Sequence, residues 1–508
     1  MAPPRRVYPR DRAYFFLLLA LLLFCPVRRR AAAQSQPADE AQLLLQIKRA
    51  WGNPPVLARW KNASSPGAPC TWTFVGCNTA GRVTNLTLGS AGVAGPFPDA
   101  VGGFSALTYL DVSNNSISGA FPTALYRCAS LRYLDLSENN FTSELPADIG
   151  RLGENLTTLL LDGNGFNGTI PASLGALTRL RTLWLAENPF LAGELPVSFK
   201  NLTNLVSLWV EQCNLVGDFP SHVLEMKQLE VLSLSNNMLK GSIPAAVWRL
   251  SKLQELYLYS NNFSGDVVID YFAAVSLMFI DLSENYKLTG AIPEVFGTLK
   301  NLTELYLFTN NFSGEIPVSI GQLPSLSVFR LANNRFTGTL PPDLGKNSVL
   351  RIVEADYNEL TGTIPEGLCA RGQFWYLIAK GNQLNGSIPA GLANCTTLKT
   401  LALDDNNLSG DVPEGLCARG QLRYLSANGN QLNGSIPAGL ANCPTLQVLD
   451  LDNNNLSGDV PEALWTAPQL LVLSLQNNQL TGSLPATFSS NLRRLLIGNN
   501  QFSGSLCS

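Results

Sequence analysis

The chain has 508 residues, with 35 Lys and Arg against 38 Asp and Glu, so its formal net charge is −3. A chain this close to neutral lacks the basic stripe that nucleic-acid binding requires, and its single histidine excludes a metal site built from several histidines. With 45% apolar and only 14% charged residues, the chain is too apolar to be intrinsically disordered.

The N-terminus follows the pattern of a secretory signal peptide. Several arginines precede an apolar run at 13–27, and Ala31-Ala32-Ala33 offers a small-residue cleavage site. We predict a signal peptide at residues 1–33. The alternative is an uncleaved signal anchor, which the arginines at 28–30 favour, although the apolar run is short for a membrane span. No later stretch is long and apolar enough to cross a bilayer, so we expect no membrane span after the signal peptide.

Sequons of the Asn-x-Ser/Thr type are spread along the rest of the chain. With a signal peptide they predict a glycoprotein that folds in an oxidising compartment. The predicted glycosylation sites are Asn62, Asn85, Asn114, Asn140, Asn155, Asn167, Asn201, Asn262, Asn301, Asn311, Asn385, Asn394, Asn407, Asn433 and Asn455.

A 24-residue period accounts for the chain from Val83 onward, with about eighteen copies that we number as coils 1–18; position 1 is the first residue of each. A clear copy runs Leu398-x-x-Leu401-x-Leu403-x-x-Asn406. Leu at positions 4 and 6 is typical of a strand with one buried face, and Asn at position 9 can bond backbone groups between coils. This leucine-rich repeat signature predicts an α/β-class solenoid at 83–508, with a parallel concave sheet and a right-handed superhelix. Its last coil is expected to be truncated, with no C-terminal cap.

The repeat and the segment before it resemble plant proteins. The Leu-Ser-Gly-x-Val-Pro run at 408–413 is similar to the plant-specific class of these repeats. The residues that resemble the N-terminal cap of plant receptor-like kinases and receptor-like proteins are those at 41–47, Trp60, Cys70-x-Trp72 and Cys77. The resemblance implies a cap at 34–82, stapled by a Cys70–Cys77 disulfide. The run Phe74-Val75-Gly76, directly before Cys77, departs from the usual spacing of the glycine in such caps.

The segments around Cys369 and Cys395 resemble the ectodomains of HAESA-like peptide-hormone receptor kinases, although no membrane helix and no kinase signature follow the repeats. Those receptors are similar in holding an extended peptide along the inner face. They grip its C-terminal carboxylate with two arginines, at positions 3 and 5 of the coil after the second of these segments. The corresponding residues of this chain are Thr400 and Ala402, with Val448 and Asp450 in a second copy. These side chains cannot make charge-assisted bonds to a carboxylate, which implies a different ligand or a loss of peptide binding.

Two whole coils are duplicated in register. Residues 365–412 reappear as 413–460, and 39 of the 48 positions are identical. Because neighbouring coils lie about 5 Å apart, cysteines two positions out of step can meet disulfide geometry. We predict the disulfides Cys369–Cys395 and Cys417–Cys443 rather than a zinc site, which leaves Cys128, Cys213 and Cys507 unpaired.

The sequence lacks catalytic motifs. His222 is predicted on the convex side as a solvated residue, and no P-loop, dinucleotide-binding or kinase signature is present. Asp404, Asp405, Asp450 and Asp452 fall at strand edges of the concave face. There we expect a solvated acidic strip rather than a glycosidase pair or a calcium site, because raised carboxylate pKa values need burial. We therefore predict no enzyme activity, no cofactor and no metal site.

Large aromatic residues are concentrated on the concave face of coils 5–10. We interpret them as a surface that binds a peptide or protein ligand, since aromatics on a solvent-facing sheet have no packing role. The alternative is cross-strand stacking that only supports the sheet. The predicted ligand-binding residues are Trp184, Trp209, Tyr257, Tyr259, Tyr306, Phe308, Glu211, Glu255, Glu304 and Arg330, flanked by Glu187, Asp281 and Arg351. The acidic members are expected to read basic groups of the ligand.

We therefore predict a non-catalytic extracellular recognition protein that acts in plant signalling or defence. It would be secreted to the apoplast, or held at the cell surface by a partner or an uncleaved anchor. Its partners would be a secreted peptide or protein and a co-receptor or capping protein, with no nucleic acid. The alternatives are a secreted inhibitor of a microbial wall-degrading enzyme, like polygalacturonase-inhibiting proteins, and a truncated receptor-kinase gene product without function. A basic concave face would favour the inhibitor, whereas the acidic and aromatic face favours peptide recognition.

Overall fold

The structure is a computed structural model that describes residues 37–418 and 421–504. The predicted signal peptide and Cys507 lie outside these residues. The fold is a leucine-rich repeat solenoid, with a long parallel sheet on one side and short helices on the other.

The N-terminal cap is tied to the first repeat strand by a buried ion pair. Helix α1, Pro37–Ala50, carries the fully buried Glu40 in its first turn. The Glu40 carboxylate accepts a hydrogen bond from Arg82 Nε at 2.9 Å and another from the backbone N–H of Val83 at 2.7 Å. A buried carboxylate is tolerated when it is paired and hydrogen-bonded in this way.

The cap also covers the edge of the sheet. The Cys70–Cys77 disulfide is formed, with Cα atoms 5.5 Å apart. Phe74 adopts a left-handed φ of 67°, and the residues after it form the strand Val75–Cys77. This strand pairs antiparallel with Val83–Thr87. The unusual run before Cys77 therefore protects the backbone of the first coil, which an open edge would leave unpaired.

Within the described residues, the concave sheet has nineteen strands, one from the cap and one from each repeat. All the repeat strands are parallel, and position-4 residues lie beside each other, as with Leu183 and Leu208. The repeat strands are Val83–Thr87, Tyr109–Asp111, Tyr133–Asp135, Thr158–Leu160, Thr182–Trp184, Ser207–Trp209, Val231–Ser233, Glu255–Tyr257, Phe279–Asp281, Glu304–Tyr306, Val328–Arg330, Ile352–Glu354, Tyr376–Ile378, Thr400–Ala402, Tyr424–Ser426, Val448–Asp450, Val472–Ser474 and Arg494–Leu496.

In fifteen coils of the described chain, a short strand on one flank follows the turn after the concave strand, and many of these coils have a glycine at position 13. Gly410, for example, has a φ of 78°, which only glycine adopts freely. The flank strands are Ala94–Pro96, Ser116–Gly119, Asn140–Glu144, Gly165–Asn167, Val216–Asp218, Met238–Gly241, Asn262–Asp266, Lys287–Thr289, Ser313–Glu315, Arg335–Thr337, Asn385–Gly386, Asn407–Gly410, Gln431–Leu432, Ser457–Asp459 and Gln479–Thr481.

Most of the short helices on the convex side begin directly after a proline, whose fixed φ suits a helix start. The proline is not sufficient, because coils 11 and 12 keep it at Pro341 and Pro365 and form no helix there. Coil 8 has Val268 in this place and also forms no helix. The 3-10 helices are Pro55–Leu57, Asp99–Gly103, Thr123–Arg127, Ile149–Leu152, Ala172–Ala176, Val197–Asn201, Ser221–Glu225, Ala245–Arg249, Glu294–Thr298, Val318–Gln322 and Ala390–Asn394, and the short α-helices are Ala438–Ala441 and Glu462–Trp465.

The core consists of leucines that stack from coil to coil. Leu401, Leu403 and Leu408 are all fully buried. In coil 18, by contrast, Leu495 and Ile497 are only half-buried, because within the described residues a single neighbouring coil packs against them.

The asparagine at position 9 fixes the spacing between coils. Asn430 Nδ2 donates to the carbonyl oxygens of Ala427 and Asn428 in its own coil, both at 3.1 Å, and to Leu403 O in the preceding coil at 2.9 Å. Its Oδ1 accepts the N–H of Leu408 at 3.0 Å. One side chain thus bonds four backbone groups of two neighbouring coils and links the coils at the turn.

Coil 6 has Cys213 at this position. Its buried Sγ points at the carbonyl oxygens of Leu185 and Glu211, at 3.2 and 3.3 Å. The N–H of Phe190, which an asparagine at 213 would accept, donates to Asn188 O instead. Asn237 of the next coil accepts the N–H groups of both Cys213 and Leu215. Burial raises the pKa of the Cys213 thiol, and that of Cys128 to about 12. Both free cysteines therefore stay protonated at neutral pH.

The two predicted repeat disulfides are formed. The Cα atoms are 5.7 Å apart in Cys369–Cys395 and 5.4 Å apart in Cys417–Cys443. Each links two neighbouring coils on the side away from the concave sheet, so the duplication copied a complete structural unit.

We expect Asn358→Ala to lower the free energy of unfolding by about 2 kcal/mol, because it removes the acceptor of the Phe336 N–H and one donor from each of three carbonyl oxygens. Asn358 is 8% exposed and makes the same four bonds as Asn430. The measurement is urea unfolding followed by circular dichroism. The matched control is Glu359→Ala at the exposed neighbour, with an expected change below about 0.5 kcal/mol. Equal effects of the two substitutions would contradict this role of the asparagines.

Candidate functional site

The concave face of coils 5–10 carries a continuous line of aromatic rings, the aromatic ribbon. Its members are Trp184, Trp209, Tyr257, Phe279, Tyr306 and Phe308. Successive ring centroids lie 5.6, 5.6, 4.6, 5.2 and 6.3 Å apart. Phe279 was not predicted, because it stands at position 3 rather than at position 5 or 7, and it fills the gap between the two tyrosines.

The ribbon reaches across coil 7 because that coil carries a serine. Trp209, Ser233 and Tyr257 are in register on consecutive strands. Neighbouring strands are about 4.8 Å apart, so the strands of Trp209 and Tyr257 are separated by about twice that distance. Their ring centroids are only 5.6 Å apart, so the two rings lean toward each other. They close over Ser233, which is fully buried. A small residue between two large ones thus creates the stack.

Burial differs along the ribbon. Tyr257 and Tyr306 are only 5% and 8% exposed, and they form a second small core with Phe279 and Val328. The expectation that these two tyrosines face solvent without a packing role is therefore wrong, because each ring is covered by its cross-strand neighbours. Trp184, Trp209, Tyr259 and Phe308 remain half-buried and accessible.

Polar atoms of the ribbon are held by the predicted acidic residues. Glu211 accepts hydrogen bonds from Trp209 Nε1 at 2.9 Å, Asn236 Nδ2 at 2.8 Å and the Tyr259 hydroxyl at 2.5 Å. The Tyr257 hydroxyl donates to Glu255 at 2.8 Å. The Tyr306 hydroxyl likewise donates to Glu304, and Trp184 Nε1 donates to Ser207 Oγ at 2.9 Å. The carboxylates thus orient the rings, a role that the sequence did not predict.

Arg330 closes the C-terminal end of the ribbon. Its guanidinium lies 5.1 Å from the centroid of the Tyr306 ring, and its Nε lies 3.3 Å from a carboxylate oxygen of Glu354. Burial raises the pKa of Glu354, which Arg330 partly offsets. Glu187 and Arg351 are exposed.

Asp281 lies beneath the ribbon, in register between Tyr257 and Tyr306. The carboxyl is 7% exposed, and its Oδ1 accepts the N–H of Ser283 at 3.0 Å and the Ser283 hydroxyl at 2.5 Å. Burial raises the pKa of Asp281 to about 7, although these hydrogen bonds act in the opposite direction. The carboxyl is therefore under the ring layer, not beside it.

We expect Asp281 to make the protein less stable as pH rises. Its pKa in the folded state, about 7, is above the unfolded value of about 3.9. The folded state therefore binds the extra proton between these values, and stability falls as pH rises through about 4 to 7. In Asp281→Asn, we expect this loss to shrink by on the order of 3 kcal/mol.

The measurement is urea unfolding at pH 4.5 and pH 7.5, with Asp405→Asn at an exposed position as the control. Identical pH dependence of the wild type and Asp281→Asn would show that the buried carboxyl does not titrate in this range.

The acidic residues near the C-terminus do not form the expected solvated strip. Asp404 is 8% exposed and accepts the Ser426 hydroxyl and the N–H of Asn428. Asp452 is 6% exposed and makes the same pair of bonds to Ser474 and Gln476. These bonds to the following coil draw both carboxylates into the sheet.

Asp405 of the same predicted strip is exposed, and Asp450 is half-buried. Burial raises the pKa of Asp450 to about 6. His222 is half-buried in the 3-10 helix Ser221–Glu225, not fully solvated, because this helix packs on the preceding coil. Burial lowers the pKa of His222, which keeps the imidazole neutral at pH 7.

Two further aromatic groups on the concave face were not predicted. Tyr109 and Tyr133, at position 3 of coils 2 and 3, stack with centroids 4.2 Å apart. Trp375, at position 2 of coil 13, lies between Arg351 and Lys399, whose charged groups are 5.1 and 4.9 Å from its ring centroid. A search for aromatics at positions 2 and 3 would have found both groups.

The predicted glycosylation sites are exposed except for Asn85 and Asn311, which are half-buried. Asn85 lies on the first concave strand, Val83–Thr87.

Of the helices in the described part of the chain, none is long and apolar enough to span a membrane. Among the same residues, no group of three or more His, Cys, Asp and Glu could hold a metal ion.

Comparison with known proteins agrees with this architecture. Family models match as a leucine-rich repeat N-terminal domain at 37–78, a leucine-rich repeat region at 97–340 and further leucine-rich repeats at 421–464 and 469–490. The chain is 37% identical over 98 residues to polygalacturonase inhibitor 1 from Oryza sativa subsp. japonica, a match that spans 19% of this chain and 29% of the inhibitor. The aligned part thus covers less than a third of that relative.

Solved structures give longer matches. The Arabidopsis receptor kinase HAESA, in complex with the peptide hormone IDA and the co-receptor SERK1, is 33% identical with a TM-score of 0.80, over 92% of this chain and 87% of that one. The plant peptide hormone receptor RGFR1, in complex with RGF2, is 29% identical with a TM-score of 0.67, over 85% and 84% of the two chains. The chain belongs to the plant leucine-rich repeat family, and its described residues form an ectodomain of the type found in plant receptor kinases.

Proposed function

We propose that this protein is a non-catalytic extracellular recognition protein that binds a peptide or protein ligand on its concave face, in plant signalling or defence. The observation that carries the proposal is the aromatic ribbon, in which the half-buried Trp209 indole donates to Glu211 and the half-buried Trp184 indole donates to Ser207 of the same face. Fixed aromatic side chains bind at a low cost in conformational entropy.

Similarity to receptors supports a peptide ligand. HAESA and RGFR1 were both solved in complex with peptide hormones, and HAESA also with a co-receptor. A co-receptor or capping partner, and secretion to the apoplast or cell-surface association, are part of the same proposal.

The mode of binding would differ from that expected of HAESA-like receptors. Thr400 and Ala402 lie on one concave strand, and Val448 and Asp450 lie on another. No arginine stands at these four places, so we expect no capture of a ligand C-terminus there.

The second candidate is a secreted enzyme inhibitor, which the match to a polygalacturonase inhibitor favours. The receptor matches argue for the peptide ligand instead, because they cover 92% and 85% of this chain, whereas the inhibitor match covers 19% of it.

We expect Trp209→Ala to weaken binding of peptides selected from a random display library on the wild-type protein by about 2 kcal/mol or more. Trp209 is preferable to Tyr257, since the latter is buried and its removal would damage the sheet. Affinity is measured by fluorescence polarisation.

The control is Tyr271→Ala, which removes an aromatic side chain that is 65% exposed outside the ribbon. Unchanged affinity in Trp209→Ala would remove the ribbon from the binding surface. Inhibition of a fungal polygalacturonase by the wild type, without peptide selection, would favour the second candidate.

A further inference from the structure

The two copies of the duplicated segment differ almost entirely on the concave face. Only nine of the 48 positions differ. Two of these are Phe374 with Leu422, in the core, and Thr396 with Pro444, away from the concave face. The other differences all stand at positions 2, 3, 5, 7 or 8, and the pairs are Trp375 and Arg423, Ile378 and Ser426, Lys380 and Asn428, Lys399 and Gln447, Thr400 and Val448, Ala402 and Asp450, and Asp405 and Asn453.

Surface exposure alone does not account for this pattern. Exposed pairs on the flank and the convex side are identical in the two copies, among them Glu366 and Glu414, Asn385 and Asn433, and Asp411 and Asp459. If substitutions had been free wherever a side chain is exposed, these places would differ as well. The concave face of coils 13–16 therefore changed under a demand that the other surfaces did not meet.

Two of the changed positions belong to a row of cations around one indole, the cation–aromatic row. It consists of Arg351, Trp375, Lys399 and Arg423 at position 2 of coils 12–15. Their backbones are hydrogen-bonded in sequence: Trp375 N donates to Arg351 O, Lys399 N to Trp375 O and Arg423 N to Lys399 O, at 2.8–2.9 Å. Neighbouring members are thus one strand spacing apart, about 4.8 Å.

The cations of this row carry no carboxylate partner within the described residues. Arg351 and Lys399 pack on the two sides of Trp375 and form no ion pair, and Arg423 is exposed without one. By contrast, Arg330 on the neighbouring coil is paired with Glu354. The charge of the row is therefore available to a ligand, and the indole holds two of its cations in place.

We propose that the cation–aromatic row binds an acidic segment of an extended polypeptide ligand and that it sets the ligand preference of the duplicated coils. This inference rests on the proposed function, since the acidic segment belongs to the same ligand that contacts the aromatic ribbon.

The spacing suits an extended peptide. Side chains at alternate residues of a strand point to the same side and lie about 7 Å apart, which falls between one and two coil spacings. Two acidic residues in an Asp/Glu-x-Asp/Glu pattern can therefore each approach a cation of the row. The row continues along the same sheet as the aromatic ribbon, so one polypeptide can contact both, with apolar residues at one end and acidic residues at the other.

The duplication itself supplies the variant that tests the row. Lys399→Gln and Arg423→Trp each install the residue that the other copy carries at the same position, so the fold already accommodates them. The double variant removes two cations from the row. The matched control, Arg132→Gln with Arg493→Gln, also removes two exposed cations at position 2 of their coils, outside the row and outside the duplicated coils.

The experiment selects random twelve-residue peptides by display on the secreted wild-type protein, and then measures the affinity of one enriched peptide for each variant. We expect an excess of Asp and Glu among the selected peptides. We expect the double variant to bind the chosen peptide about tenfold more weakly at low salt, as for two exposed charge pairs, and the control to bind within about twofold of the wild type. The difference should shrink at high salt because exposed charges are screened.

The outcomes separate this inference from the proposed function. If the selected peptides have no acidic excess, or if the double variant binds as tightly as the wild type, the role of the cation–aromatic row is wrong. If binding still depends on Trp209 in that case, the proposed function stands. If the wild-type protein binds polygalacturonate more tightly than the double variant does, and no acidic peptide is selected, the ligand of the row is not a polypeptide. Failure to select any peptide would overturn both.

Discussion

Each coil of this solenoid buries its leucines only against its neighbours, so the distance between coils is the constraint on which the rest of the structure depends. The asparagine at position 9 sets that distance, because each one bonds backbone groups of its own coil and of the preceding coil. Coil 6 has a cysteine at this position, and its Sγ lies 3.2 and 3.3 Å from two carbonyl oxygens that an asparagine would contact, Leu185 O and Glu211 O. The concave side chains are then held at a fixed pitch of about 4.8 Å.

That pitch explains the concave face. At position 5 of coils 6–10, large and small residues alternate, and the large ones meet over the small ones. Ser233 and Asp281 occupy the covered places, and Trp209, Tyr257 and Tyr306 form the cover. The carboxylates of Glu211, Glu255 and Glu304 accept hydrogen bonds from the Trp209 indole N–H and from the Tyr257 and Tyr306 hydroxyls, respectively. The face is a packed layer with its own hydrogen bonds, on which accessible indoles remain.

The period of 24 residues was enough to predict the solenoid, its parallel sheet and the disulfides between coils, because a repeat specifies its contacts with its neighbours. It could also place Trp209 and Tyr257 on the concave face. It could not predict their burial, which depends on the size of Ser233 in the coil between them. Asp404 and Asp452 became buried for a similar reason, through the hydroxyls of Ser426 and Ser474 in the next coil. Trp375 was missed because its partners, Arg351 and Lys399, are each 24 residues away in sequence.

The duplicated segment also changes the length of the concave face. Two additional coils extend the sheet by about 10 Å, and they are rigidly joined to their neighbours by backbone hydrogen bonds and by a second disulfide. An extended polypeptide advances about 3.3 Å per residue. A ligand that reaches from the aromatic ribbon to the coils beyond residue 460 must therefore be about three residues longer than one that fits the face before the duplication. The number of coils acts as a measure of ligand length, separate from the side chains that set ligand chemistry.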